Sequence, residues 1–354
     1  VIRTRGVNIK RHLSLWGRYP AIFAIPDAWS GWWPWAVTAA NRLISEDKPD
    51  VVYSTSPHAT AHIIAGHLSK KWKLPWVVDF RDPWYEESPG PEMPAVVHWF
   101  ARHLEAKVVQ RANRVVASTK QLTKVLEQRY SSEPTRKFVT ISNGYDEADF
   151  TVLAAPSQKP NDKLVMLHAG SINPVFRDPR PLFRALREAV NLGCIDAGKI
   201  RFRFIGNGPF GESNGMRKCL AETDLARNVE FVSRVPYAQA LEELLNCDSA
   251  LLLQASSDTT GLVPAKIYEY LRAQKPVLAL VNKGATQELI DQLGIGWAVD
   301  PLDGVALLSA ITELFSDWRN HRLIEKIASQ DAMKQFSRRN LTGALADIFD
   351  SVIR

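Results

Sequence analysis

Short apolar runs alternate with longer amphipathic segments along most of the chain. The apolar runs are rich in Val, Ile, Leu and Phe, which is typical of strands that are covered on both faces. The segments between them are long enough to form helices of several turns. Alternation of this kind predicts an α/β fold in which helices pack on both sides of a parallel sheet.

The alternation occurs twice, and this predicts two doubly wound domains. The first series predicts strands at 50–54, 76–79, 114–117 and 138–141, and helices at 59–71, 98–112 and 121–130. The second predicts strands at 164–168, 201–205, 229–232, 250–253 and from 277, and helices at 181–192, 216–223, 238–245 and from 265. The polar stretch 150–162 is predicted to be a linker. We therefore predict an N-terminal domain (1–155), a second domain (156–336) and a C-terminal helix (337–354).

The stretch from Ala250 to Val281 has the most informative local pattern. It contains a buried strand, a polar loop (256–261), a helix beginning near Pro264 and a second buried strand. A loop at the carboxyl end of a parallel strand is where open α/β sheets bind their ligands. Lys266 would oppose the helix dipole in the first turn, so an anion bound there is expected. Glu269 lies three residues further on and shares that helix face.

The composition indicates an ordinary globular protein of about two domains. The chain has 354 residues, of which 45% are hydrophobic and 23% charged. No apolar run approaches the ~18 residues that span a bilayer. The three cysteines are widely spaced and fit neither a disulfide framework nor a zinc site, which favours a reducing, cytoplasmic compartment.

Charge and aromatic residues are concentrated near the start of the chain. The net charge is +6, and five of the 11 tryptophans lie between residues 16 and 35. Five cations precede the first acidic residue: Arg3, Arg5, Lys10, Arg11 and Arg18. One interpretation is docking on an anionic membrane surface at the cytoplasmic face. The other is that the rings fill a core or flank a cleft. No nucleic-acid-binding motif is present, so nucleic acid is not an expected partner.

Six local motifs occur in the order found in one enzyme family. They are Trp76-Val-Val-Asp79-Phe-Arg81-Asp82-Pro-Trp84, Asn143-Gly144-Tyr-Asp146, His168-Ala-Gly170-Ser171, Gly206-Asn207-Gly208-Pro209, Ser233-Arg234-Val235-Pro236, and Pro264-Ala-Lys266-Ile-Tyr-Glu269 with Lys275-Pro276-Val277. This ordered set resembles the GT-B glycosyltransferases, and within them the family-four retaining enzymes of bacterial surface polysaccharide synthesis. Each motif alone is weak, and the order is what carries the resemblance.

The resemblance implies two Rossmann-like domains that face a central cleft, with the C-terminal helix packing back on the first domain. It implies an enzyme that transfers a sugar, with retention of configuration, from a nucleotide diphosphate sugar to a glycan or polyprenyl-linked acceptor. No cofactor and no metal are expected. Two alternatives remain open. The first is an inactive scaffold of the same fold. The second, which fits the motifs less well, is a nucleotide-sugar epimerase.

The chain departs from the family pattern at two places. The family often carries two glutamates eight positions apart; Glu269 matches the second, but Gly261 stands at the first. The family also begins with a strand and a glycine-rich loop, and no such unit is seen before residue 50. The first domain is therefore expected to lack its first strand–helix unit. Both departures motivate the scaffold alternative.

The resemblance assigns a donor site to the second domain. Glu269 would accept hydrogen bonds from the ribose hydroxyls, and Arg177 and Lys266 would stabilise the departing diphosphate. The alternatives are a surface Glu269 paired with Lys266 or Arg272, and two solvated cations. The remaining donor-site candidates are Gly170, Ser171, Thr259, Thr260, Gly261, Leu262, Arg234 and Val235. The loop that includes Thr259 and Thr260 has a second interpretation as a helix N-cap.

The acceptor side is expected in the first domain. Asp82 would orient the acceptor hydroxyl or stabilise positive charge on the sugar, and Arg81 would contact an anionic acceptor. The alternative is an Asp–Arg pair that ties the loop down. His58 would line the cleft, or serve as a structural hydrogen-bonding group. Glu105 is expected on the polar side of its helix, with no special role.

Overall fold

The structure is a computed structural model, and it describes residues 1–12, 25–84, 95–153, 162–255 and 260–353. The chain divides into two compact units. Unit 1 comprises residues 1–142 and 342–354, and unit 2 comprises residues 143–341. The predicted linker at 150–162 lies inside unit 2, partly outside the described residues. Each unit is described by itself below.

Unit 1 contains a four-stranded parallel sheet with the strand order β1-β2-β3-β4. Its strands are β1 (Val52–Thr55), β2 (Trp76–Phe80), β3 (Arg114–Ala117) and β4 (Phe138–Thr140). Its helices are α1 (Ile9–His12), α2 (Trp33–Glu46), α3 (Ala59–Trp72), α4 (Ala95–Arg111) and α5 (Lys120–Arg129). No strand precedes β1 in residues 1–12 and 25–51, whereas the helix α2 does.

Sequence explains why β2 lies inside this sheet. All five of its residues are buried, and they pair with β1 on one side and β3 on the other. Four of the five residues are apolar, which suits a strand with helices on both faces, and each fully buried large side chain contributes about 2 kcal/mol. The last helix of the chain, α14 (Arg338–Ile353), ends in unit 1, where the ring of Phe349 lies 5.6 Å from that of Tyr53.

Unit 2 contains a six-stranded parallel sheet. Its strands are β5 (Leu164–Ala169), β6 (Ile200–Ile205), β7 (Val229–Val232), β8 (Ser249–Gln254), β9 (Val277–Val281) and β10 (Gly296–Val299). Its helices are α6 (Glu147–Thr151), α7 (Arg180–Asn191), α8 (Asn214–Glu222), α9 (Tyr237–Asn246), α10 (Lys266–Arg272), α11 (Ala285–Leu293), α12 (Gly304–Arg319) and α13 (Gln330–Lys334).

The strand order of unit 2 is β10-β9-β8-β5-β6-β7. The chain builds outward from β5 to β7, then returns to place β8 against the other side of β5, pairing Leu167 with Ala250. The crossovers therefore reverse direction between β5 and β8. In an open parallel sheet, the loops leaving such a pair of strands separate and open a crevice at their carboxyl ends. Both units are α/β with parallel sheets, as predicted.

Candidate functional site

The loop that leaves β5 is held against the loop that leaves β6. The N–H of Gly170 donates to the carbonyl of Ile205 at 2.8 Å, and the N–H of Ile172 donates to the carbonyl of Asn207 at 3.1 Å. Gly170 has a φ of 137°, which few residues with a side chain adopt. A Cβ at this position would also lie 2.8 Å from Nζ of Lys266. Glycine is thus required twice over at the first residue after β5.

Lys266 is the first residue of α10 and so lies in the first turn, where the sequence predicts it, although the helix begins one residue later than predicted. It reaches across the crevice between β5 and β8. Its Nζ donates a hydrogen bond to the carbonyl of Ala169 at 2.8 Å. Burial lowers the pKa of Lys266 to about 8, and the nearby charge of Arg177 adds to that effect. A buried ammonium beside a second cation is a site where an anion would be bound favourably.

Arg177 lies on the loop that follows β5. Oδ1 of Asn173 accepts the N–H groups of Val175 and Phe176, both at 3.0 Å, which folds this loop into a tight turn. The carbonyl of Phe176 accepts the N–H of Ala255 at 2.8 Å, so the turn is tied to the exit of β8. The guanidinium donates to Oγ of Ser171 at 3.0 Å and lies 5.0 Å from the ring of Phe176.

The two cations therefore lie on opposite sides of the same crevice, one after β5 and one after β8. Arg177 makes no salt bridge with any residue in the described ranges. Opposing charge comes from Glu269, which raises the pKa of Lys266, whereas Arg177 lowers it. Ser171 is exposed and sits beside Gly170, so its hydroxyl and Arg177 face the same space.

Glu269 is one helical turn from Lys266 and is half-buried. Oε1 accepts a hydrogen bond from the hydroxyl of Tyr237 at 2.8 Å. Burial raises the pKa of Glu269, and the Tyr237 hydroxyl and Lys266 act in the opposite direction. Arg272 is not its partner, because the Arg272 guanidinium pairs with both carboxylate oxygens of Glu147. The alternative of a surface Glu269 paired with Arg272 is therefore wrong.

The loop before α10 is fixed by the start of α11. The carbonyl of Thr260 accepts the N–H of Ala285 at 2.7 Å, and the carbonyl of Leu262 accepts Oγ1 of Thr286 at 2.9 Å. The N-cap of α10 is Ala265, which makes no side-chain cap. Of the described loop residues, Thr260 therefore does not occupy the N-cap position of α10. A Cβ on Gly261 would enter open space. Thr259 lies outside the described residues.

Arg234 and Val235 follow β7, at the same edge of the sheet. The N–H of Gly206 donates to the carbonyl of Val232 at 2.9 Å, which holds the exits of β6 and β7 side by side. Arg234 is exposed, whereas Val235 packs against the core formed by β5, β8 and α10. The site candidates predicted from the sequence therefore follow three strands, β5, β7 and β8, and the fold brings these strand exits to one edge of the sheet.

His168 was quoted in a motif but not assigned to the site. It is fully buried near the end of β5, and Nδ1 lies 2.9 Å from the carbonyl of Leu251 on β8. Burial, together with the charges of Lys266 and Arg177, lowers its pKa to about 3. The neutral imidazole thus joins β5 to β8 by a hydrogen bond, close to the charges of Lys266 and Arg177. Its position next to Ala-Gly170 was the available sequence signal.

The exits of β1 and β2 carry the candidates of unit 1. The carboxylate of Asp79 accepts hydrogen bonds from the hydroxyls of Tyr53 (2.6 Å) and Thr55 (3.0 Å) and from the guanidinium of Arg81 (3.3 Å). Arg81 also donates to the carbonyl of Ile141 at 2.9 Å. The Asp–Arg pair of the sequence analysis therefore exists, and Asp79 is its acid. Asp82 is exposed, and its N–H lies 3.4 Å from Oγ of Ser56.

His58 is exposed at the start of α3, with its ring 5.8 Å from that of Trp29. The sequence analysis overlooked Asp27, whose Oδ2 accepts the N–H of Thr60 at 2.7 Å and so satisfies the first turn of α3. Asp27 is 33 residues away along the chain, so local spacing gave no signal for this contact.

Glu105 is the clearest error of the sequence analysis. It is fully buried, whereas a polar helix face was expected. Its Oε1 accepts hydrogen bonds from Arg129 at 2.8 Å and from the hydroxyl of Tyr130 at 2.7 Å. Burial raises its pKa, and Arg129 opposes that rise.

Across the described residues, no helix is both long enough and apolar enough to cross a bilayer. Nor do their His, Cys, Asp and Glu side chains form any group of three or more suited to holding a metal ion.

Comparison with known proteins covers both units. Residues 1–144 match the family described as "Glycosyl transferase 4-like domain", and residues 149–330 match "Glycosyl transferases group 1". A probable glycosyltransferase, WbjE of Pseudomonas aeruginosa, is 38% identical over 117 residues, which are 33% of this chain and 28% of that protein.

Two solved structures share the fold at low sequence identity. Alr3699/HepE of Anabaena, crystallised in complex with UDP, superposes with a TM-score of 0.66 at 17% identity, covering 89% of this chain and 82% of that one. A glycosyltransferase from Rickettsia africae superposes with a TM-score of 0.67 at 17% identity, covering 96% of this chain and 84% of that one.

Proposed function

Because the chain belongs to the group 1 glycosyltransferases, we propose that it transfers a sugar from a nucleoside diphosphate sugar to a glycan or polyprenyl-linked acceptor. Transfer is proposed to proceed with retention of the anomeric configuration. The observation that carries this proposal is the convergence of Lys266, Arg177 and Glu269 on the crevice between β5 and β8.

In this proposal the crevice holds the diphosphate. Breaking the glycosidic bond leaves additional negative charge on the diphosphate oxygens. Lys266 and Arg177 lie on loops fixed by hydrogen bonds to their neighbours, so they need little reorganisation to meet that charge. They therefore stabilise the transition state more than the bound substrate, which is what accelerates the reaction.

Glu269 takes the ribose, and the loop residues complete the site. A carboxylate one helical turn beyond the diphosphate cation suits the spacing between the phosphates and the sugar of a nucleotide. Thr260, Gly261, Leu262, Gly170 and Ser171 are proposed to contact the diphosphate and the transferred sugar. Arg234 and Val235 are proposed to contact the base. The chemistry is proposed to need no metal, because two side-chain cations serve the diphosphate.

Unit 1 is proposed to bind the acceptor. Arg81 is engaged by Asp79 and by the carbonyl of Ile141, so we propose that it holds this loop in place. That leaves the exposed carboxylate of Asp82 to orient the acceptor hydroxyl. His58, exposed at the neighbouring strand exit, is the second acceptor-side candidate.

A lipid-linked acceptor would bring the protein to a membrane surface at the cytoplasmic face. The rings of Trp29, Trp33 and Trp35 are 36%, 36% and 41% exposed. The cations Arg3, Arg5, Lys10 and Arg11 lie in the same part of unit 1. Exposed indole rings beside cations are typical of surfaces that dock on anionic lipid, and this supports peripheral membrane association.

The proposal is tested in two steps. A panel of nucleoside diphosphates is first screened by thermal shift, where a ligand that binds only the folded protein raises Tm by mass action. The corresponding nucleotide sugars are then incubated with and without acceptor extracts. Sugar transfer supports the proposal. An epimerised nucleotide sugar in the absence of acceptor supports an epimerase, and binding without turnover supports a scaffold. Absence of binding by every nucleotide, and of transfer, refutes it.

A further inference from the structure

Tyr237 lies beside Glu269 in the proposed nucleotide site, although it belongs to none of the sequence motifs. It is the first residue of α9 and follows the loop that contains Arg234 and Val235. Its hydroxyl donates to Oε1 of Glu269 at 2.8 Å and lies 3.5 Å from Oδ2 of Asp149. The Tyr237 side chain is 52% exposed, so packing alone does not explain why its hydroxyl points at a carboxylate.

The charges around Glu269 come from four elements. Lys266 lies on its own helix, Asp149 on α6, Arg338 on α14, and the Tyr237 hydroxyl on α9. Burial makes ionisation of Glu269 less favourable, and the donated hydrogen bond from Tyr237 makes it more favourable. The phenol thus helps keep Glu269 in the form that accepts hydrogen bonds from hydroxyl groups.

One oxygen of Glu269 is occupied by this bond and the other is not. Oε2 accepts no hydrogen bond from any residue of the described ranges. Because a carboxylate is planar, fixing Oε1 also limits where Oε2 can point. Oε2 is then ready for a ligand hydroxyl, at a smaller entropic cost on binding.

We propose that Tyr237 is a positioning residue for Glu269 and so determines the preference of this site for ribonucleotides over deoxyribonucleotides. The inference rests on the proposed function, in which Glu269 receives the ribose. A site built to pair with a hydroxyl discriminates against the analogue that lacks it, because a buried acceptor is then left unpaired. Tyr237 provides this discrimination by holding the acceptor in place and ionised.

The experiment compares hydroxyl selectivity in three proteins. Calorimetry gives Kd for the ribonucleoside diphosphate that binds best in the panel, and for its 2′-deoxy and 3′-deoxy forms. In Tyr237→Phe, affinity for the ribonucleotide is expected to fall about fivefold, the scale of one hydrogen bond. Affinity for the deoxy form whose missing hydroxyl pairs with Glu269 is expected to change by less than about twofold, since that ligand makes no use of the aligned oxygen.

Tyr53→Phe is the matched control. Tyr53 also donates its hydroxyl to a carboxylate, Oδ2 of Asp79 at 2.6 Å, and is 39% exposed. It lies in unit 1, whereas the residues of the proposed nucleotide site belong to unit 2. The same atom is therefore removed from a similar pair, and Tyr53→Phe should bind every nucleotide as the unchanged protein does.

A pH series adds a readout that a purely structural role would not alter. Protonation of Glu269 removes its negative charge, so selectivity for the ribonucleotide should decline as the pH falls. Without the Tyr237 hydroxyl the pKa of Glu269 rises, and the decline should begin at a higher pH in Tyr237→Phe.

The outcomes separate this inference from the function on which it rests. If the unchanged protein binds no nucleoside diphosphate, both fail. If Glu269→Ala abolishes the selectivity and Tyr237→Phe retains it with the same pH midpoint, only the role of Tyr237 is overturned. Equal weakening of ribonucleotide and deoxyribonucleotide in Tyr237→Phe overturns it as well, because Tyr237 then supports the fold of the site without positioning the carboxylate.

Discussion

Gly170 packs closely against the end of the Lys266 side chain: a Cβ on the glycine would lie 2.8 Å from Nζ of the lysine. The lysine comes from the start of α10 and the glycine from the exit of β5, so this close approach closes the crevice between β5 and β8 at its base. Both residues are needed to place an ammonium group at the junction of the two strands.

Gly170→Ala should weaken nucleoside diphosphate binding by about tenfold or more. The substitution strains the backbone at φ 137° and displaces the end of the Lys266 side chain, which is proposed to meet the phosphates. Gly193→Ala is the control, because Gly193 has a φ of 73° with nothing within 4 Å of a built Cβ. It should lose about 1 kcal/mol of stability while binding remains unchanged. Calorimetry and denaturant unfolding measure the two effects. Equal binding by both variants would contradict the prediction.

Arg177→Ala should lower kcat/KM about 100-fold, the scale of losing one transition-state donor. Its guanidinium bonds Ser171 and makes no salt bridge within the described ranges, so unfolding should change little. Steady-state transfer assays measure the loss. Arg187→Ala, on the outer side of α7 and 3.8 Å from Asp224, is the control and should keep full activity. A loss below about tenfold in Arg177→Ala would remove Arg177 from the chemistry.

Diphosphate affinity should fall as the pH rises above about 8, because Lys266 loses its proton there. Bound anion raises this pKa again, so binding between pH 8 and 9 should take up a proton, seen as a calorimetric enthalpy that depends on the buffer. Lys266→Met should bind more weakly at pH 7 and lose the pH dependence. A decline of the same size in Lys266→Met would assign it to another group.

The same lysine affects stability in the opposite direction. Its pKa in the folded protein is about 8, below the ordinary 10.5, so the unfolded chain binds more protons between these two values. The free energy of unfolding should therefore gain a contribution from Lys266 as the pH rises through that window. Lys266→Met should remove this contribution, which urea unfolding at pH 7 and pH 10 measures. No difference in slope between the two proteins would show that Lys266 is not buried as described.

Glu105→Ala should destabilise unit 1 by about 3 kcal/mol or more, because it removes a buried carboxylate that accepts hydrogen bonds from Arg129 and Tyr130. The side chains of Arg129 and Glu105 are 12% and 1% exposed. Glu46→Ala breaks the exposed Arg42–Glu46 pair of α2 and should cost less than about 0.5 kcal/mol. Denaturant unfolding of both variants measures the difference. Similar small losses would mean that Glu105 adds nothing to the core.

Trp35→Ser should reduce sedimentation with vesicles that contain anionic lipid. The ring is 41% exposed on α2, and removing it takes away apolar area that would enter the interface. Leu192→Ser is the control, since Leu192 is 63% exposed in unit 2 and carries no such assignment. High salt should weaken binding of the unchanged protein by screening its cations. If both variants sediment like the unchanged protein, the proposed membrane surface is wrong.

Strand pattern predicted the sheets well where apolar runs were continuous. The prediction for β3 and β7 matches the observed bounds, and most other strands differ by one or two residues at an end. The strand β10 (Gly296–Val299) was missed. It has four residues, begins with Gly296 two positions after Gly294, and is largely half-buried, so neither alternation nor a long apolar run marked it. Helix α2 was missed because its first turn contains Trp33, Pro34 and Trp35, and the tryptophan-rich stretch was interpreted as a membrane-docking surface or as rings that fill a core or flank a cleft.

Motifs pointed to the strand exits that carry the candidate site residues, but not to the contacts that these side chains make. Glu269 and Lys266 share a helix, and their spacing alone indicated a common face. The contact of Tyr237 with Glu269 joins residues 32 apart, and that of Arg129 with Glu105 joins residues 24 apart. Such contacts depend on how α9 packs beside α10 and α4 beside α5, which no local pattern specifies.

The entry and exit of unit 2 are bonded to each other. The N–H of Tyr145 donates to the carbonyl of Phe336 at 3.1 Å, and the N–H of Arg338 donates to the carbonyl of Tyr145 at 2.8 Å. Unit 2 is thus one continuous segment inserted into unit 1, and hydrogen bonds join residues near its start and its end. The last helical segment of unit 1 follows it in the chain. During synthesis unit 2 can finish folding while unit 1 still lacks residues 342–353, including the Phe349 ring that packs on Tyr53. Unit 1 is thus the first unit whose synthesis begins and the last whose chain is complete.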